Sequence, residues 1–194
     1  MPHLAEYPYS VFIPLPTDEQ LGPDMTKYLK EKAANWKDGR MMLGAGPAGR
    51  AMIELARSVF RIEGVNEKYR QFINLRICKL VGGVNPWDPN IKMLENLRAS
   101  KQEIDGVQAD GPVTGLDEDA TLIMCACEEL TSLGAIQDPS LARMKERFGD
   151  TLTLRYILVM CWYNMFNRFL VSTRVPKETA EEVAEKVGDK TLPA

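Results

Sequence analysis

Arg76 and Asp88 are the charged side chains whose settings in the sequence best suit chemistry on an organic anion. Arg76 falls within an apolar helical stripe of Tyr69, Phe72, Ile73 and Leu80. A guanidinium there either pairs with a carboxylate or helix end of its own chain, or anchors an anionic substrate. Asp88 follows Trp87 in a turn between two apolar helices. It serves as a helix cap, or an apolar wall raises its pKa and makes it a proton donor. Tyr163, Asn164, Asn167 and Arg168 punctuate an apolar helix near the C-terminus. Buried polar groups must be satisfied, so these four form an inter-helix or inter-subunit network, or the polar edge of a pocket.

Other chemistries lack their residues. His3 is the lone histidine, which removes Ser-His-Asp and Cys-His mechanisms and makes a Cys/His metal centre a poor reading. The four cysteines, Cys78, Cys125, Cys127 and Cys161, form no Cys-x-x-Cys pair. Each lies in an apolar helical pattern, so all four are expected to be buried and slow to react. The run Gly44-Ala-Gly-Pro-Ala-Gly49 has the spacing of a dinucleotide loop. No strand precedes it and proline removes a donor, so it is read as a plain loop and helix start.

The elements that must position these residues are helices. Tyr7 to Pro16, with three prolines, suits an extended arm across the surface. A helical pattern covers Asp18 to Trp36, and Lys177 to Val187 forms a last amphipathic helix. After Pro47, the positions Met52, Leu55, Ala56, Val59 and Phe60 mark one helix face, with Gly64 as its stop. Asn66 caps the next helix, which is buried on most sides. Gly82 to Pro89 concentrates turn residues and ends it. Asp88 then caps a helix to about Ser100 with Pro89 in its first position, and Lys101 to Gly115 is a loop. Asp117, Glu118 and Asp119 open a helix through Leu133. Asp138-Pro139 caps a short helix ended by Gly149, and Thr151 to Thr173 is a long helix, central or at a subunit interface.

The chain therefore reads as an all-α, single-domain helical bundle: residues 1–45 an arm and helix, 46–176 the core, 177–194 a C-terminal helix and tail. Its 24 Lys+Arg against 27 Asp+Glu, with no basic cluster, speak against a nucleic-acid partner. No apolar run reaches the roughly 18–20 residues of a membrane span, and the first ten residues do not read as a signal peptide. The expectation is a cytoplasmic protein without a membrane partner.

The stretch Tyr69-Arg-Gln-Phe-Ile-Asn-Leu-Arg-Ile-Cys-Lys-Leu-Val-Gly-Gly-Val-Asn-Pro-Trp87 resembles the helix and turn that carry the active site in the carboxymuconolactone decarboxylase family, related to the alkylhydroperoxidase D-like proteins. Leu116 to Glu129, Arg147-Phe-Gly-Asp150 and Tyr163 to Pro176 resemble that family's C-terminal half. The resemblance covers about Gly46 to Pro176. It implies an all-helical fold, homo-oligomers with pockets between helices, and either peroxide reduction through Cys-x-x-Cys or cofactor-free decarboxylation of a lactone acid. The chain departs from the pattern where that chemistry resides. Gly83 stands at the first cysteine position, Pro86 replaces the acidic residue before Trp87, and Pro89 and Asn90 stand where histidines are typical. Without a thiolate a peroxidase has no electron donor.

What remains is a cofactor-independent lyase, a decarboxylase of a small or medium keto, lactone or aromatic-derived acid whose own carbonyl is the electron sink. In that scheme Arg76 holds the carboxylate and Asp88 returns the proton. Trp87 is the apolar wall, Tyr163 or Asn90 bonds the oxyanion, and Asn164 completes the pocket edge. An isomerase or dehydratase would use the same groups. The alternative is a non-catalytic, oligomeric small-molecule-binding or scaffold protein that kept the fold after losing its relay.

Overall fold

The computed structural model describes residues 6–84 and 87–187; His3 and Pro86 lie outside them. Those residues form nine helices and no strand. Thr17 opens α1 (Asp18–Lys32) with a capping box closed by Gln20. Gly22, at φ 74° and ψ 168°, interrupts α1 just before Pro23. The helix expected through Trp36 stops at Lys32, and a separate α2 (Lys37–Leu43) follows. Pro47 starts α3 (Pro47–Phe60), as its pattern predicts.

Asn66 Oδ1 accepts from the amides of Lys68 and Tyr69 to start α4 (Glu67–Val81), and left-handed Gly82 ends it. The next helix, α5 (Trp87–Asn96), begins one residue before the proposed cap, so Asp88 lies inside its first turn. It also ends short of Ser100. The polar segment expected to be a loop contains α6 (Lys101–Val107), started by a Ser100/Glu103 capping box. Polarity alone hid it, because a short helix whose apolar face is Ile104 and Val107 leaves little periodicity to read.

Asp117 caps α7 (Glu118–Leu133) by accepting from the Ala120 amide. In α8 (Asp138–Thr173) the cap is Gln137 rather than Asp138, and Gly149 at φ 72°, ψ 167° breaks the helix where the sequence places a stop. A final α9 (Ala180–Val187) packs on α5. No helix of the described residues is long and apolar enough to cross a membrane.

α4 is the centre of the bundle, packed against α5, α7 and α8. Ten consecutive residues, Arg70 to Lys79, are buried. Phe72, Ile73, Leu75 and Ile77 meet Ile123 and Met124 of α7 and Val159, Met160 and Leu170 of α8, all fully buried. Each such side chain contributes roughly 1.5–3 kcal/mol of transfer free energy. The same ten positions include Arg70, Gln71, Asn74, Arg76 and Lys79, whose burial is costly unless each finds a partner.

The N-terminal arm is extended and crosses the C-terminal turn of α8. The Ile13 amide donates to the Thr173 carbonyl at 3.2 Å, Tyr7 Oη donates to the Leu170 carbonyl at 3.4 Å, and Arg174 stacks 4.0 Å from the Tyr9 ring centroid. At the other end, buried Glu178 binds Lys186 and Lys37, tying the approach to α9 onto α2.

Candidate functional site

Arg76 is held entirely by its own chain. Only 3% of it is exposed. Its Nε donates to Glu128 Oε1 at 2.8 Å and Nη2 lies 2.6 Å from the same oxygen. Nη1 donates to the carbonyls of Val107 (3.1 Å) and Ala109 (2.6 Å), and Nη2 to that of Gly111 (2.7 Å). A planar fork of five N–H donors suits such a cage. It joins α4 to α7 and fixes the segment after α6, which Lys79 secures again through Asp110 at 2.8 Å. Of the two roles open to Arg76 in the sequence, this geometry is that of a paired structural cation.

Asp88 and Arg76 do not meet. The Asp88 carboxylate is 51% exposed and lies 2.8 Å from Lys177 Nζ, on the α9 side of the bundle. Trp87 turns its ring inward while Asp88 faces water and a lysine, so the ring does not wall the carboxylate.

Asn90 does find a buried setting. It accepts from Asn74 Nδ2 at 3.0 Å, and Asn74 Oδ1 accepts from Asn167 Nδ2 at 2.9 Å. This amide line joins α5, α4 and α8 through the core. It ends at Asn167 Oδ1, a buried acceptor without a hydrogen-bond partner among the described residues, beside the turn at Gly83. A Cβ added at Gly83 would sit 3.6 Å from that oxygen and 2.7 Å from Cys78 Sγ. The turn thus lies directly on Cys78, and a side chain at the position where the resembled family carries its first cysteine would have to displace the Cys78 thiol.

Tyr163 is also buried, with its hydroxyl beside the Arg70 guanidinium but without a well-aligned hydrogen bond. Burial pushes its pKa up to about 12 against the pull of Arg70, so it stays a neutral phenol. Asn164 points elsewhere: its Nδ2 donates to Thr131 Oγ1 and the Met160 carbonyl, both at 3.1 Å. The six residues singled out in the sequence therefore fall into separate settings. Asn74 and Lys177 partner them and were not singled out. Asn74 carried a signal, a carboxamide between Ile73 and Leu75 on a helix read as buried on most sides; Lys177 carried none.

The thiols divide. Cys78 and Cys127 are buried, and burial raises both pKa values, to about 12 for Cys127. Cys125 and Cys161 are exposed, which corrects the expectation that all four are covered. An apolar periodicity shows which residues share a face, not whether anything covers it. The glycine run is a packing corner between α2 and α3. A Cβ on Gly49 would lie 1.6 Å from the Met42 carbonyl oxygen, so glycine is required for the helices to approach.

Among the described residues no three His, Cys, Asp or Glu side chains cluster as metal ligands. Two concave features stand out among the described residues. One is an open dish of about 660 Å³ beside α1, lined by charged and polar side chains such as Asp18, Glu19, Lys27 and Glu31. The other is a groove of about 380 Å³ where the C-terminal ends of α4, α7 and α8 converge, lined by Leu80, Val81 and Val171 together with Thr131, Ser132, Arg168 and Ser172. Arg168 gives one N–H to the Thr131 carbonyl at 2.9 Å and among the described residues has no carboxylate partner. This is the arrangement nearest to an organic-anion site: an exposed guanidinium, the Ser132 and Ser172 hydroxyls and a short apolar surface, while the Thr131 hydroxyl is taken by the Cys127 carbonyl and Asn164. No protein-family model matches the chain, and no curated protein matches it.

Proposed function

We propose that the chain is a divergent relative of the carboxymuconolactone decarboxylases that works as a non-catalytic, oligomeric binding protein for a small organic acid. One observation carries this reading: the Arg76 guanidinium, the natural anchor for a substrate carboxylate, is already taken up by Glu128 and three backbone carbonyls. Asp88 is likewise drawn outward to Lys177. The groove beside Arg168 offers a guanidinium that carries no carboxylate among the described residues. Calorimetric titration with a panel of keto, lactone and aromatic acids tests the reading. Saturable binding that weakens at least about tenfold in Arg168→Ala, roughly 1.4 kcal/mol, supports it, and a panel without binders removes it.

A second reading, the cofactor-independent lyase, rests on the buried Tyr163 hydroxyl, a donor without a hydrogen-bond partner among the described residues. A decarboxylase, isomerase or dehydratase would use that phenol to steady an enolate. Release of carbon dioxide from the same panel, lost in Tyr163→Phe, would favour it over binding alone.

A further inference from the structure

From Thr151 to Thr173, α8 exposes seven residues: Thr151, Leu154, Leu158, Cys161, Met165, Arg168 and Ser172. They fall at alternating spacings of three and four, so every exposed position of this segment belongs to one straight seam. The centre of the seam is apolar, and Leu154 is 67% exposed. The other positions of the segment are buried or half-buried.

We infer that this seam is the contact face for a second copy of the same chain, which lies against it in antiparallel orientation about a two-fold axis near residues 159 and 160. This deepens the oligomeric part of the reading above and rests on it to that extent; Arg168 belongs to both the seam and the groove, and its fork of five N–H donors can serve the partner's Asp150 and a bound acid together.

Three observations select that occupant and orientation. First, the seam is self-complementary when reversed: Leu154 falls opposite Met165 of the other copy, Leu158 opposite Cys161, and Thr151 opposite Arg168. A two-fold axis requires this kind of symmetry, in which residue i meets j and j meets i. Second, the charges agree. Arg168 is exposed at one end, while Asp150 is exposed at the other, where its neighbour is Lys145 at 3.3 Å. Antiparallel pairing brings Arg168 next to the partner's Asp150, whereas parallel pairing sets Arg168 against Arg168.

Third, the arm supplies the missing area. A seam of 23 residues is about 35 Å long and roughly 10 Å wide, about 350 Å², less than half of the roughly 800 Å² per partner of a stable interface. The arm, hydrogen-bonded to α8 at Thr173, exposes Val11, Phe12 and Ile13, with Phe12 66% exposed. In the antiparallel arrangement its anchor at Thr173 falls opposite position 146, so the arm lies at the end of the seam, beside the partner's bend at Gly149. Burial of those three side chains brings the interface towards the size a dimer needs.

Light scattering on the full chain tests the inference without any ligand. The expected mass is twice the 21.8 kDa chain. Leu158→Glu and, separately, Met165→Glu return it to the monomer with an unchanged helical spectrum, because both side chains are exposed in the single chain. Orientation is read by oxidative cross-linking in a Cys125→Ser, Cys161→Ser background. Leu154→Cys together with Met165→Cys gives a covalent dimer, whereas either alone gives none, since its counterpart is then 11 residues, about 16 Å, away along the helix. A monomeric wild-type chain, a dimer that survives both Glu variants, or cross-linking by either cysteine alone overturns the inference. Organic-acid binding by a monomeric chain would overturn the seam and leave the binding reading standing.

Discussion

The Arg76 guanidinium and the Glu128 carboxylate meet at 2.6 Å where α4, α7 and the segment after α6 converge. Three carbonyls complete the cage, so the ion pair fixes a loop as well as two helices. Breaking such a pair from one side leaves the other charge poorly compensated, at a cost of about 3–5 kcal/mol. Glu128 is partly exposed, which places this pair at the lower end of that range. Arg76→Met is therefore expected to destabilise the chain by about 3 kcal/mol in urea unfolding, while titrated organic acids bind as before. Loss of binding with unchanged unfolding would return Arg76 to the ligand.

Gly83 and Cys78 make a second, tighter pair. A methyl group at Gly83 would meet Cys78 Sγ at 2.7 Å, and overpacking of this kind costs about 1–3 kcal/mol. Gly83→Ala should lower the unfolding midpoint by that much, and Cys78→Ala in the same chain should recover most of the loss. Additive effects in the double variant would show that the two sites are independent.

Asp38 gives the fold a pH dependence. Burial, reinforced by nearby Glu178, raises its pKa from 3.8 to about 6. The folded state thus holds this proton more tightly than the unfolded chain, so its contribution is full below pH 4 and is lost as pH rises through 6. Asp38→Asn keeps an acceptor for the Gly39 amide and removes the titration. The variant is expected to gain about 1–3 kcal/mol over wild type at pH 7.5 and nothing at pH 4. A difference that does not change between those two pH values would contradict this.

Thiol labelling separates the four cysteines. Cys125 should react in the native protein at an accessible-thiol rate, Cys161 at that rate in the single chain but slowly in the paired one, and Cys78 and Cys127 only after unfolding. Protection of Cys161 that disappears in Leu158→Glu would also report the α8 seam.

Much of the helical framework is legible in the sequence because its signals are local. Asn66 and Asp117 cap where their spacing says they should, and Gly149 breaks α8. The α6 capping box, Ser100-x-x-Glu103, was equally local and was outweighed by the polarity around it. The site was less legible because its partners are remote. Glu128 is 52 positions from Arg76, and Asn167 is 93 from Asn74. Periodicity puts Arg76 within an apolar stripe but says nothing of the carbonyls that surround it. The same limit applied to Cys161 and to the α8 seam, whose apolar pattern is that of a buried face.

The most direct test is to incubate the protein with the panel of acids labelled with ¹³C at the carboxylate and to follow carbon dioxide release by NMR, in wild type and in Asp88→Asn. With Arg76 and Asp88 both engaged by the fold, the labelled carboxylate is expected to remain on the acid in either protein, with line broadening as the only change. Carbon dioxide released by wild type and lost in Asp88→Asn would contradict the account and restore the lyase.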